Sequence, residues 1–226
     1  MNYKIKRNLH TDFKVIEENK LPPRAYFIPF SGESGLESTD YKNERYKSDR
    51  ITVTASLKKL CPLTNQLPRF GVHAELNNSF ENVEYYGRGP VENYSDFKEH
   101  SPIGIYETTV SRMAHKYIKP QDSGNRGDIR FGMLSDKNGA SIKFEANEKY
   151  LNFNANHFTL GQLKKAKHIE DLPDTDTTFA AIDGFVRGTG SGSCGPIPSK
   201  EHIIRFGYTH PIDYSFSIEL RNHHEY

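Results

Sequence analysis

Short runs of alternating apolar and polar residues, separated by turn residues, constrain the fold of this chain most. In "RITVTASLKKL" the apolar residues Ile51 and Val53 alternate with threonines, and in "RFGVHAEL" Phe70 and Val72 repeat that period. A period of two is typical of a strand with one buried face. Many such runs in succession predict an all-β protein built as a large antiparallel sandwich or barrel.

The remaining pattern extends this prediction along the chain. "NVEYYG" alternates again, and further candidate strands cover residues 104–112, 129–134, 140–146, 150–157, 178–181, 203–209 and 214–220. Residues 159–172, "TLGQLKKAKHIEDL", have helical spacing but contain Gly161, so we expect a single turn or a short helix there. Residues 1–48 mix Pro, Gly, Ser and charge and predict loops or an edge strand. We therefore divide the chain into a poorly defined segment 1–48 and a β-sandwich domain 49–226.

Composition narrows the class of protein. The 226 residues contain 30 Lys and Arg against 29 Asp and Glu, and this balance does not favour nucleic acid as a partner. No segment reaches the roughly 18 apolar residues that a membrane span needs, and the N-terminus does not resemble a signal peptide. The two cysteines, Cys61 and Cys194, form no Cys-x-x-Cys pair. We expect a soluble cytoplasmic protein.

The stretch "YYGRGPVENYSD" at residues 85–96 has three readings. It is a poor phosphate loop, because Pro90 removes a backbone N–H and no Lys-Ser/Thr follows the glycines. Tyrosines beside Asn93 and Asp96 suit a sugar, whose C–H faces pack on aromatic rings. The favoured reading is a strand running into a Gly-Pro turn, with Tyr85 and Tyr86 on opposite faces of the strand.

Two further groups of residues carry candidate chemistry. In "YIKPQDSGNRGDIRF", residues 117–131, Arg126, Asp128 and Arg130 are spaced to share one face of a strand, which predicts an ion-pair ladder or, less readily, an anion site. His157 and His168 could be metal ligands or acid–base groups, although structural hydrogen bonds are the commoner role of such histidines.

The order of six motifs resembles a known family. "LPRFGVHAEL", "NVEYYGRGPVENYSD", "YETTV", "YIKPQDSGNRGDIRF", "FNANHFTLGQLKKAKH" and "IDGFVRGTGSGSCGP" follow one another as in the C-terminal domain of bacterial β-galactosidases of glycoside hydrolase family 2, which is also the small subunit of two-chain enzymes. The resemblance covers about residues 49–220 and implies an antiparallel sandwich of the galactose-mutarotase-like type. It also implies that both catalytic glutamates, with a divalent cation such as Mg²⁺, belong to a (β/α)₈ barrel in a large subunit.

The resemblance assigns roles to residues of this chain. The loop at 188–196 would reach the rim of the galactose pocket through Cys194, with Ser193 and Gly195 beside it. Backbone carbonyls of Lys119, Pro120, Leu163 and Ala166 would bind a sodium ion. The residues of the family motifs that would support these loops are Arg88, Glu92, Asn93, Tyr94, Asp96, Arg126, Asp128 and His168.

The chain also departs from the family pattern. It contains no Trp, and Tyr85 and Phe131 stand where family members often have Trp. The family's upstream strands are not recognisable in residues 1–48, which indicates a truncated product or fragment whose sandwich lacks N-terminal strands and exposes an edge. Such an edge needs a large subunit or self-association to cover it.

Three functions remain open from the sequence. The first is a non-catalytic small subunit or C-terminal fragment of a β-galactosidase, serving the hydrolysis of β-galactosides such as lactose. The second is a stand-alone carbohydrate-binding sandwich. The third is an aldose epimerase that uses His157 or His168.

Overall fold

A computed structural model describes residues 26–30, 50–57, 66–190, 197–205 and 212–221. The described residues form short helices α1 (Val110–Met113) and α2 (Leu160–Lys165), two 3₁₀ turns and the following strands. They are β1 (Tyr26–Phe30), β2 (Arg50–Leu57), β3 (Gln66–Leu67), β4 (Arg69–Asn77), β5 (Asn82–Arg88), β6 (Ile103–Thr109), β7 (Arg126–Ile129), β8 (Phe131–Ser135), β9 (Ser141–Ala146), β10 (Leu151–Asn156), β11 (Thr177–Val186), β12 (Ile204–Arg205) and β13 (Ile212–Arg221).

The strands form two main sheets, which confirms the predicted sandwich. Sheet A has the order β1-β4-β11-β10-β7 and sheet B the order β2-β13-β9-β8-β5-β6, while β12 and β3 make a separate pair. Neighbouring strands are antiparallel throughout. β1 lies at one edge of sheet A, where it pairs with β4.

Aromatic side chains join the two sheets across the core. Phe144 of sheet B lies 6.4 Å, between ring centroids, from Phe153 of sheet A, and Phe70 of sheet A meets Tyr214 of sheet B edge-on at 5.4 Å. Both phenylalanines of the first pair are buried. Burying each such side chain contributes about 1.5–3 kcal/mol, so these contacts hold the sheets face to face.

Alternation predicted the buried face of several strands correctly. Phe70, Val72, Ala74 and Leu76 of β4 are all buried, as expected from their period. Tyr85 is fully buried and its neighbour Tyr86 is partly exposed, so the two do point to opposite faces. The short helix expected within 159–172 is α2, which begins with a capping box between Thr159 and Gln162.

Several strand predictions were wrong in their bounds. The candidate strand 129–134 spans two strands, because Ile129 ends β7 of sheet A and Phe131 begins β8 of sheet B. The candidate strand 104–112 ends at Thr109 because Val110 and Ser111 donate their backbone N–H groups to Glu81, which starts α1 instead. The candidate strand 178–181 extends to Val186, since β11 pairs with β4 along that whole length.

Candidate functional site

The Gly-Pro turn after β5 is packed on the core rather than open for a ligand. Arg126 donates from Nε to the Tyr85 hydroxyl at 3.1 Å, and this hydroxyl donates to the carbonyl of Pro90 at 3.4 Å. A Cβ on Gly89 would lie 2.3 Å from the same hydroxyl. The glycine therefore lets the turn approach the tyrosine, which explains its presence without a phosphate.

Asn93 joins this turn to the loop before β7. Its side-chain amide donates to the carbonyls of Arg88 and Val91, both at 3.1 Å, and its Oδ1 accepts from Gly127 N at 2.8 Å. In return, Asn125 donates from Nδ2 to the carbonyl of Asn93 at 2.7 Å. Because Asn93 is fully buried, these bonds fix the two loops against each other.

Glu92 accepts hydrogen bonds from donors in the same two loops. It accepts from the Tyr117 hydroxyl at 2.5 Å, from Gly124 N at 2.8 Å and from the Tyr94 hydroxyl at 3.3 Å. The hydrogen bond to Glu92, with some burial, raises the pKa of Tyr117 to about 12. Burial and the nearby carboxylates of Glu92 and Asp122 raise the pKa of Tyr94 as well. Both phenols therefore remain donors at neutral pH.

Asp128 forms ion pairs with Arg88 and, at 3.7 Å, with Lys98. Arg88 Nε lies 2.5 Å from Asp128 Oδ2, and its Nη1 donates to the carbonyls of Lys98 and Ser101. The predicted ladder of Arg126, Asp128 and Arg130 on one face was wrong. Asp128 has a φ of 51°, which breaks the strand's alternation. Arg126 is buried, where it bonds to Tyr85, and Arg130 donates to the main-chain carbonyl of Asp128.

Asp96, the last residue of the motif at 85–96, bonds to the start of the distant Gly/Ser-rich loop. The first residues of this loop, 188–190, are called its stem below. The Asp96 carboxylate accepts from Thr189 N at 2.9 Å and from Gly190 N at 2.8 Å. A Cβ on Gly188 would lie 2.5 Å from the Asp96 carboxyl carbon, so only glycine allows this approach. Ser193, Cys194 and Gly195, which the resemblance predicted at the pocket rim, lie outside the described residues.

Sequence reasoning missed a buried charged group on β4 and β11. Arg69 donates to Asp183 from Nε at 3.2 Å and also from Nη2, and its Nη1 lies 3.0 Å from Asp122. Burial opposes the charge of Arg69, but the carboxylates of Asp183 and Asp122 outweigh it and raise the pKa of Arg69. The sequence does contain a signal for this group. In "RFGVHAEL" Arg69 alternates with the apolar residues Phe70 and Val72, so its side chain lies on the opposite face of the strand.

Of the two candidate histidines, His157 is hydrogen-bonded within the fold through both ring nitrogens. His157 Nε2 lies 2.8 Å from Glu81 and 3.4 Å from the Ser111 hydroxyl, so both groups meet the same ring nitrogen. In a Ser-His-acid triad they would meet different nitrogens. His168 is exposed beside a 3₁₀ turn, where its backbone N–H donates to Asp171.

The residues assigned to sodium lie in two segments, at 119–120 and around α2. Pro120, Leu163 and Ala166 are buried and Lys119 is exposed. Leu163 belongs to the last turn of α2, where carbonyls have no partner within the helix and are available to other groups. Among the described residues, no three His, Cys, Asp or Glu side chains cluster closely enough to hold a metal ion.

The helices of the described ranges include none long and apolar enough to cross a membrane.

Comparisons with known proteins point to one family. Residues 7–220 match the family described as "Beta galactosidase small chain". A β-galactosidase of Staphylococcus xylosus is 33% identical over 154 residues, which are 68% of this chain and 15% of that protein. A β-galactosidase of Streptococcus thermophilus is 30% identical over 212 residues, which are 94% of this chain and 20% of that protein. The chain thus spans a fifth or less of these two relatives.

A solved structure from Escherichia coli K12, described as a "Putative aldose 1-epimerase", is also similar to this chain. The two are 10% identical with a TM-score of 0.38, and the match covers 89% of this chain and 66% of the other.

Proposed function

Because the chain belongs to the β-galactosidase small-chain family, we propose that it is the non-catalytic small subunit or C-terminal part of a β-galactosidase. In this role it packs on a separate (β/α)₈ barrel and serves the hydrolysis of terminal β-galactosides such as lactose in the cytoplasm. The proposal draws on the relatives, which are β-galactosidases several times longer than the aligned part.

The proposal divides the chemistry between two chains. Glycoside hydrolysis needs two carboxyl groups that flank the scissile bond, about 5–10 Å apart. We assign these groups, with their divalent cation, to the barrel of the partner, and we assign to this chain a loop at the rim of the galactose pocket. The sodium ion at the carbonyls of Lys119, Pro120, Leu163 and Ala166 is part of the same proposal, as is self-association where no large subunit is present.

The observation that carries the proposal is the anchoring of the loop stem by Asp96. A loop that shapes a pocket rim must leave the sandwich in a fixed direction, because a displaced contact group loses most of its effect on a substrate. The bonds from Thr189 and Gly190 to Asp96 supply that constraint, and Gly188 N adds a bond to the carbonyl of His202 at 2.9 Å. The rim itself, at Ser193, Cys194 and Gly195, remains part of the proposal.

Co-purification tests the subunit assignment. The full chain, tagged and expressed in its native cell, should bring with it a longer chain that carries the barrel, identified by mass spectrometry. In that complex Asp96→Ala should retain the partner but raise KM for a β-galactoside, since the loop stem loses two bonds while the packing surface remains. Recovery of the chain without any longer partner or second copy of itself would contradict the proposal.

A further inference from the structure

A cleft opens on the face of sheet A that points away from sheet B. On β4, Arg69, His73 and Glu75 alternate with the core residues Phe70, Val72 and Ala74 and therefore lie on this face. The cleft has a volume of about 200 Å³. Its walls come from β4, β10, β11 and the α2 region, and they include Arg69, His73, Glu75, Asp122, Asn154, Asn156, Phe158, Leu160, Phe179 and Ala181.

The register of the strands places the residues of the cleft floor in rows that run across the strands, here called ranks. Glu75, Phe179 and Asn156 lie opposite one another on the three adjacent strands. His73, Ala181 and Asn154 form the next rank in the same way. The small side chain of Ala181 at the centre of its rank leaves a hollow between the imidazole and the amide.

Asn154 is held in one orientation at this floor. It is 5% exposed, and its Nδ2 donates to the carbonyl of Ser123 at 2.8 Å. On the neighbouring rank, Asn156 accepts from Phe158 N at 3.1 Å, which places the phenylalanine at the wall. The polar floor is therefore built before any ligand arrives, which reduces the ordering cost of binding.

The charges of the cleft disfavour an anionic ligand. Arg69 is already matched by Asp183 and Asp122, and Glu75 adds a further carboxyl. Burial and the nearby Arg69 lower the pKa of His73 to about 4, so its imidazole is neutral at pH 7. A phosphate or a sugar acid would meet carboxylates without a free cation among the described lining residues.

Half-exposed aromatic rings complete the surface. Phe158 and Phe179 line the cleft beside Leu160, so apolar and polar groups face the same hollow. A pyranose ring is itself two-sided, with C–H groups for an aromatic face and hydroxyls for carboxylates and amides. The volume lies below the roughly 300–1,000 Å³ of pockets for drug-sized ligands, which fits one ring and not an oligosaccharide.

We propose that this cleft binds a single neutral sugar ring, with Phe158 and Phe179 against its C–H face and Glu75, Asn154 and Asp122 toward its hydroxyls. The proposal does not depend on the role as a β-galactosidase subunit, because it concerns binding by this chain alone.

Binding of D-galactose and D-glucose to the full chain, followed by amide NMR, tests the proposal. At least one sugar should bind with an affinity on the order of millimolar and shift the amides of Gly161 and Ala181 while leaving Gly104 on β6 unchanged. D-galacturonate and inorganic phosphate should bind more weakly than the better sugar. Absence of saturable shifts with both sugars, tighter binding of either anion, or shifts confined to residues outside the cleft would each overturn the proposal.

Matched variants locate the contact groups. Phe158→Ala and Glu75→Gln should each weaken sugar binding about tenfold, a factor typical of one lost contact. Tyr150→Ala and Glu107→Gln remove an aromatic ring and a carboxylate at exposed positions that do not line the cleft, and they should leave affinity unchanged. Equal losses in the variants and their controls would contradict the assignment. Because the readout is binding, a negative result here leaves the subunit proposal intact.

Discussion

Asp96 shows how one carboxylate can tie together parts of the chain that lie far apart in sequence. Its two acceptor oxygens each take one backbone N–H, from Thr189 and Gly190. Charge-assisted bonds of this kind contribute more than neutral ones, about 1.5–3 kcal/mol each. The stem of the Gly/Ser-rich loop therefore depends on a residue of the motif after β5.

Removing that carboxylate should loosen the stem before it unfolds the domain. In Asp96→Ala, hydrogen exchange at Thr189 and Gly190 should accelerate at least about tenfold, the factor that 1.4 kcal/mol corresponds to. Exchange in β9 should not change. Asp174→Ala, at an exposed carboxylate, is the control. Unchanged exchange at both stem residues would show that Asp96 does not restrain the loop.

The hydrogen bond between Tyr117 and Glu92 predicts a dependence of the Tyr117 pKa on Glu92. The hydrogen bond that the Tyr117 hydroxyl donates to Glu92, followed by burial and by repulsion between a phenolate and the carboxylate, raises the pKa of Tyr117 to about 12. In Glu92→Gln the hydrogen bond to a charged acceptor and the repulsion are both lost, so the pKa of Tyr117 should fall toward the ordinary value of about 10. NMR titration of the tyrosine Cζ resonances measures the shift, with Glu84→Gln as control. A pKa that stays near its original value would mean that Glu92 is not the cause.

At the scale of the element, alternation reveals what a strand buries but not what its other face meets. Phe70 and Val72 could be assigned to the core because their period depends only on local geometry. The partner of Arg69 could not be predicted, because Asp183 lies 114 residues away in the sequence. Only the register of β4 with β11 brings the two residues together. The break at Asp128 was missed because a positive φ at a non-glycine residue leaves no reliable sequence signal.

Two glycines of different elements should respond oppositely to alanine. On β4, a Cβ at Gly71 would lie 1.8 Å from Asp183 Oδ1 and 2.7 Å from its Cα, so the neighbouring strand would have to move. In α2, the nearest atom to a Cβ at Gly161 is the Thr159 hydroxyl oxygen at 3.8 Å. Gly71→Ala should lower the free energy of unfolding by about 1–3 kcal/mol through overpacking.

Gly161→Ala should instead raise the free energy of unfolding by about 0.5–1 kcal/mol, because alanine loses less backbone entropy in a helix. Urea denaturation of both variants measures the two changes. A Gly71→Ala variant as stable as the unchanged chain would contradict the described contact between β4 and β11.

At the scale of the whole molecule, the sandwich explains why the family could be identified from scattered motifs. The loops after β5 and before β7 and the end of β11 meet at one end of the fold, where Asn93, Glu92 and Asp96 join them. The resemblance predicted that these residues support loops, and in the structure they hydrogen-bond to backbone groups of the neighbouring loops. Their many hydrogen bonds hold these loops in fixed positions relative to one another.

Hydrolysis of a chromogenic β-galactoside tests the central claim most directly. The full chain should be measured alone, and again after mixing with the longer chain that co-purifies with it. The account predicts no hydrolysis above background by this chain alone and activity on mixing. A rate for the isolated chain near that of whole β-galactosidases would contradict it.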